Sequence, residues 1–135
     1  MEDATSVLDA SALLAYLNDE AGAQVVEDSL VRGSAISAVN LAEVLSKLAE
    51  VGEDPQDVTD NLRGRGLLGG KLVVFPLGLD DAIMIARLNR TTRAHGLSLG
   101  DRACLGLALR LRVPAVTADR VWLRLKIAVK VVTVR

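Results

Sequence analysis

The stretch Thr5-Ser6-Val7-Leu8-Asp9-Ala10-Ser11-Ala12-Leu13-Leu14-Ala15-Tyr16-Leu17 decides the fold. A short apolar run from Thr5 to Leu8 stops at an acid, and the residues from Ser11 to Leu17 then have helical character. A brief apolar strand followed at once by a helix is the opening of a β–α unit, whose crossover returns the chain to a parallel neighbour.

The same punctuation recurs outward along the chain. Ser34–Ser37 is a second short strand, set between a helix over Ala23–Val31 and one over Asn40–Val51 whose Leu41, Val44, Leu45 and Leu48 form one apolar stripe. Pro55 after Asp54 starts a helix that Gly64 and Gly66 end. Lys71–Pro76 encloses Leu-Val-Val-Phe, a buried-strand run closed by proline. Asp80–Ala94 reads as a long helix with Ile83, Ala86 and Leu88 inward and arginines outward. A Leu- and Ala-rich helix over Asp101–Leu111 follows, then a strand over Pro114–Thr117 and a β-branched last strand over Lys130–Val134. Strands alternating with helices predict an α/β fold, one domain over residues 1–135 with a central parallel sheet flanked by helices.

Composition narrows the chemistry. The chain has 135 residues, 24% of them charged and 2% aromatic, with a single cysteine and a single histidine. Its longest stretch free of charge runs only from Gly33 to Ala42, too short to span a bilayer. Met1-Glu2-Asp3 is acidic where a secretion signal needs positive charge, so a cytoplasmic location with no membrane partner is expected. Cys104, flanked by Ala and Leu, suits a small buried filler, and His95 before Gly96 suits a helix's last turn. Neither supports a Ser/His or Cys/His nucleophile, and no Cys/His cluster has zinc spacing. Trp122 suits a packing anchor.

Charge is unevenly spread. Met1–Ala86 holds 15 acidic and 5 basic residues, whereas Arg87–Arg135 holds 11 basic and 2 acidic ones, a hint of a polyanion-binding face. The two acids in the basic half are Asp101 and Asp119. In a parallel sheet, ligands sit beyond the carboxyl ends of the strands. Asp9 and Asp119 follow strands directly, Glu43 lies on the helix after the second strand, and Asp101 opens a late helix. Four carboxylates in one crevice repel one another unless a hard divalent cation joins them, and all-oxygen ligation points to Mg²⁺ or Mn²⁺. Such an ion supports phosphodiester hydrolysis without histidine.

Each acid also has a plain structural role open to it. Asp9 or Ser11 caps the first helix, Glu43 pairs with Lys47 at i, i+4, Ser98 as N-cap places Asp101 at N3 of a capping box, and Asp119 caps a turn at Arg120–Trp122.

Four segments then resemble, in order, the motifs of PIN-domain ribonucleases, and most nearly the VapC toxins of toxin–antitoxin pairs. They are Val7-Leu8-Asp9-Ala10-Ser11-Ala12, Ile36-Ser37-Ala38-Val39-Asn40-Leu41-Ala42-Glu43-Val44-Leu45, the run from Leu97 through Asp101 to Ala108, and Val116-Thr117-Ala118-Asp119-Arg120-Val121-Trp122. The resemblance implies that Asp9, Glu43, Asp101 and Asp119 are catalytic, metal-binding acids supported by Ser11, Asn40 and Thr117. It implies an endoribonuclease dependent on Mg²⁺ or Mn²⁺, an RNA substrate such as transfer RNA, a homodimer, and silencing by a cognate antitoxin.

Arg87, Arg90 and Arg93, spaced three apart, form a helical ridge that would contact RNA phosphates or simply be solvated. The scarcity of aromatics argues against base-stacking modules. Leu13, Leu14, Leu17, Val44, Leu45 and Leu48 are the expected walls of an antitoxin groove, or ordinary core. Two alternatives compete with the nuclease: a catalytically idle PIN-type interaction module, and a receiver-like signalling domain. The latter wants a phosphoacceptor Asp after the third strand, where this chain has Phe75-Pro76.

Overall fold

The structure, a computed structural model, describes residues 3–135; Met1 and Glu2 of the acidic N-terminus lie outside the described residues. Five short strands form one parallel sheet: β1 (Ser6–Leu8), β2 (Ser34–Ser37), β3 (Leu72–Phe75), β4 (Ala115–Thr117) and β5 (Val131–Thr133), in the order β3-β2-β1-β4-β5. Helices α1 (Ala10–Leu17), α2 (Ala23–Val31), α3 (Ala38–Glu50), α4 (Pro55–Gly64), α5 (Leu79–Thr92) and α6 (Leu99–Leu111) connect them, with 3₁₀ turns at Arg93–His95 and Arg120–Arg124. Among the described residues, no helix is long and apolar enough to cross a membrane.

Strands β1, β2 and β4 are buried along their whole length because both faces of the sheet are covered. Side chains alternate across a strand. Leu8, Ile36 and Val116 therefore enter one core with Leu13 and Val26, whereas Val7, Ala35 and Ala115 enter the other with Leu105 and Trp122. Trp122 is wholly buried, an anchor as expected, and its indole N–H finds no acceptor among the described residues. Cys104 is buried, and His95 ends its 3₁₀ turn before a left-handed Gly96 at φ 73°.

The chain runs outward from β1 to β3, then returns to place β4 on the other side of β1. The order of strands thus switches between β1 and β4, and their carboxyl ends frame the crevice where ligands bind in open α/β sheets. A flavodoxin-like sheet has the order 2-1-3-4-5 instead, with strand three central. Here β3 is an edge, which removes the receiver-like alternative.

Two expectations need correction. The inward stripe of α5 is Asp81, Ile85, Leu88 and Thr92; Ile83 is 42% exposed and Ala86 is also outside, leaving only Leu88 of the expected set inward. The buried stripe includes polar residues, and each finds a partner. Asp81 accepts the Gly78 N–H and pairs with Arg110 at 3.1 Å, and the Thr92 hydroxyl donates to the Leu88 carbonyl. The second correction concerns the expected groove walls. Leu13, Val44 and Leu48 belong to the core beneath the sheet, and Leu14 and Leu17 pack against it half-buried. A helix apolar on most sides, like α1, does not announce which leucines face solvent.

Candidate active site

Asp9 ends β1 and is the N-cap of α1, so one carboxylate must satisfy a helix start while facing the β1/β4 crevice. Its Oδ1 accepts the Ala12 N–H at 2.8 Å and the Ser11 hydroxyl at 2.7 Å; its Oδ2 accepts the Thr117 hydroxyl at 2.6 Å. Each hydroxyl is occupied from behind as well. Ser11 Oγ accepts the Ala118 N–H and Thr117 Oγ1 accepts the Asp119 N–H, at 2.9 and 3.0 Å. Ser11 and Thr117 therefore tie the backbone leading to Asp119 to the carboxylate of Asp9.

Asp9 is only 4% exposed, and burial raises its pKa to about 6. The three hydrogen bonds from Thr117, Ala12 and Ser11 oppose that rise, and the negative charge of Asp101 adds to it. Cys104 records the same crowding from below. Burial lifts its thiol pKa first, and the charges of Asp9, Asp101 and Glu43 lift it further. Three acids from β1, α3 and α6 thus bear on one buried point.

The outer acids are each held by one oxygen. Asp101 Oδ2 accepts the Ser98 N–H at 2.9 Å while the Ser98 hydroxyl accepts the Asp101 N–H, the capping box expected from spacing. Asp119 Oδ1 accepts the Val121 N–H at 3.0 Å, capping the following 3₁₀ turn. Glu43 Oε1 accepts one hydrogen of the Asn40 amide at 2.8 Å. The alternative Glu43–Lys47 pair does not form; Lys47 lies 3.8 Å from Glu50 instead. Asp119 stands apart, exposed at the rim, and contributes to neither shift above.

An all-oxygen set of this kind suits a hard cation rather than zinc or copper. Asp101, Asp119 and Glu43 each spend one oxygen on a protein donor, and among the described residues the other oxygen has none. The set is not a closed cage: among the described residues, no three acid, histidine or cysteine groups lie tightly enough to hold an ion as they stand. Asp9, Asp101 and Asp119 are each bound to a helix or turn start, and Glu43 to Asn40.

The family model described as PIN domain matches residues 6–128, from the start of β1 past the turn that carries Trp122. The chain belongs to the PIN domain family. Chains in solved structures share its fold. A toxin–antitoxin complex from Klebsiella pneumoniae gives a TM-score of 0.72 at 18% identity, covering 96% of this chain and 98% of that one. FitAcB from Neisseria gonorrhoeae gives 0.71 at 18% identity, covering 96% and 97%. DNA-bound VapBC from Salmonella typhimurium gives 0.71 at 17% identity over all of both chains. No curated protein matches the chain.

Sequence reasoning missed one member of this PIN site. Gly100, buried at the second position of α6, leaves the space in which the Glu43 carboxylate lies; a Cβ there would stand 2.5 Å from Glu43 Oε1 and 2.7 Å from Oε2. A glycine where alanine would favour the helix was the available signal. Arg87, Arg90 and Arg93 are exposed along α5 and its following turn, lining a shallow hollow of about 570 Å³ with Asn89 and Thr91.

Proposed function

We propose that the chain is a VapC-type toxin, an endoribonuclease dependent on Mg²⁺ or Mn²⁺. The observation that carries the reading is the carboxylate of Asp9: buried at the β1/β4 switch point, gripped by Ser11 and Thr117, and pressed by the charge of Asp101. A protein places an ionisable group in so unfavourable a position where chemistry needs it. Asp9, Glu43, Asp101 and Asp119 would hold the cation, which when bound would offset phosphate charge and make a coordinated water more acidic. Ser11 and Thr117 orient Asp9 and exclude water from its far side. Asn40 holds Glu43, and Asp119 forms the solvent-facing rim. Arg87, Arg90 and Arg93 bind RNA phosphates and add affinity without base readout.

The solved neighbours that are toxin–antitoxin complexes support an antitoxin as partner. The groove for it lies between α1, α3 and α4, about 490 Å³, with Leu17, Leu48, Val58 and Leu62 in its floor and Glu53, Asp54 and Asp57 on its rim. An amphipathic segment with basic flanks is complementary to such a groove. Of the walls expected from sequence, only Leu17 and Leu48 line it. A homodimer completes the reading.

The test is cleavage of total RNA by the purified chain in Mg²⁺, in Mn²⁺ and in EDTA, with Asp9→Asn as control. Cleavage that requires the metal and Asp9 supports the nuclease. Binding of RNA or antitoxin with no cleavage in either metal returns the idle interaction module.

A further inference from the structure

Asn40 presents a puzzle of accounting. It is 1% exposed on α3, and its amide nitrogen donates both hydrogens, one to Glu43 Oε1 and one to the Gly100 carbonyl at 2.9 Å. Its Oδ1 is buried with no partner among the described residues. Turning the amide over would set an oxygen against two acceptors, so the orphan persists because the two donations fix the orientation. An unsatisfied buried acceptor weakens a fold. The two donations tie α3 to the first turn of α6 and hold the Glu43 carboxylate against it.

That place exists only because residue 100 has no side chain. The atoms an added Cβ would meet are the carboxylate carbon and both oxygens of Glu43, the far end of a flexible side chain rather than backbone. Substitution there would move the acid without breaking the helix. We propose that Gly100 is a positioning residue for Glu43: its missing Cβ is the seat of the carboxylate, and Asn40 is the tether that keeps it there. The proposal deepens the nuclease reading and rests on it for its functional consequence, but the seat itself is a structural claim.

The experiment uses Gly100→Ala, Glu43→Asp and the double variant. Melting in EDTA reads folding, Mn²⁺ titration reads affinity, RNA cleavage reads activity, and the Asn40 side-chain amide resonance of the metal-free protein reads the seat. Gly100→Ala is expected to melt at or above the unsubstituted protein, because alanine favours a helix. It should shift the Asn40 resonance and lose about ten- to hundredfold in Mn²⁺ affinity and cleavage, the usual effect of disturbing a support to a ligand. Glu43→Asp shortens the acid by one methylene and withdraws it from the seat, so adding Gly100→Ala to it should bring little further loss. Full affinity and an unmoved Asn40 resonance in Gly100→Ala would overturn the proposal. So would an equal loss in the Glu43→Asp background. If the unsubstituted protein neither binds Mn²⁺ nor cuts RNA, yet Gly100→Ala moves the resonance only when Glu43 is present, the nuclease reading fails and the seat stands.

Discussion

Thr117 donates its hydroxyl to Asp9 across the seam between β1 and β4, at 2.6 Å, and takes the Asp119 N–H at 3.0 Å with the same oxygen. One side chain thereby serves two of the four acids. Thr117→Val keeps the bulk and strands both partners. A loss of about 1–3 kcal/mol is expected, the range for a buried group left without its bond. Because that bond lowers the Asp9 pKa, the variant's Asp9 should also titrate higher than about 6. Thr117→Ser should restore both, as read by denaturant unfolding and by NMR titration of Asp9.

The pH dependence of stability in EDTA carries a sign. Asp9 has a folded pKa of about 6 against an ordinary 3.8, so the native state binds more protons than the unfolded chain between those values. Stability from this group is therefore lost as pH rises through that window, by about 3 kcal/mol at 1.36 kcal/mol per unit. Asp9→Asn removes the loss. Its stability relative to the unsubstituted protein should climb between pH 4 and pH 7, and a flat difference would contradict the burial of an ionising Asp9.

Asp101 separates a cap from a ligand. Asn at this position can still accept the Ser98 N–H, so Asp101→Asn should melt within a few degrees of the unsubstituted protein in EDTA. Mg²⁺ at about 100 times its dissociation constant should stabilise the unsubstituted protein by about 2.7 kcal/mol. The Asn variant should lose most of that increment and nearly all cleavage. An undiminished increment would leave Asp101 as a helix cap alone.

The ridge on α5 is tested by salt. Replacing Arg87, Arg90 and Arg93 by Gln should flatten the log–log dependence of RNA affinity on salt by about 0.7 for each lost phosphate contact. Metal affinity should not change. An unaltered slope would mean the arginines are solvated only.

The groove is tested by charge reversal. Glu53→Lys with Asp57→Lys, on the rim between α1, α3 and α4, should weaken co-purification with the antitoxin and leave RNA cleavage intact. Retention of the complex at unchanged stoichiometry would move the partner to another face.

Much of this architecture was legible from short apolar runs. Ser34–Ser37 and Ala23–Val31 fall where they were expected, and the Ser98/Asp101 capping box forms as spacing required. Such features depend on neighbours in sequence. The inward face of α5 was not legible, because the buried Asp81 carboxylate is paired with Arg110 on another helix as well as with the local Gly78 N–H. Glu43 turns away from Lys47, its i, i+4 option, because Asn40 three residues before it and the distant space over Gly100 take its carboxylate. That Asp9, Glu43 and Asp101 come near one another was legible from the order of strands and helices. Their spacing, with Asp119 at the rim, was not.

Trp122 offers a practical consequence. It is the only tryptophan, wholly buried, and lies in the 3₁₀ turn that Asp119 caps. An indole so buried should emit at short wavelength. Intrinsic fluorescence should therefore follow the Asp119 turn without any label, and a change on adding Mg²⁺ in stopped flow would report a cation binding at that turn.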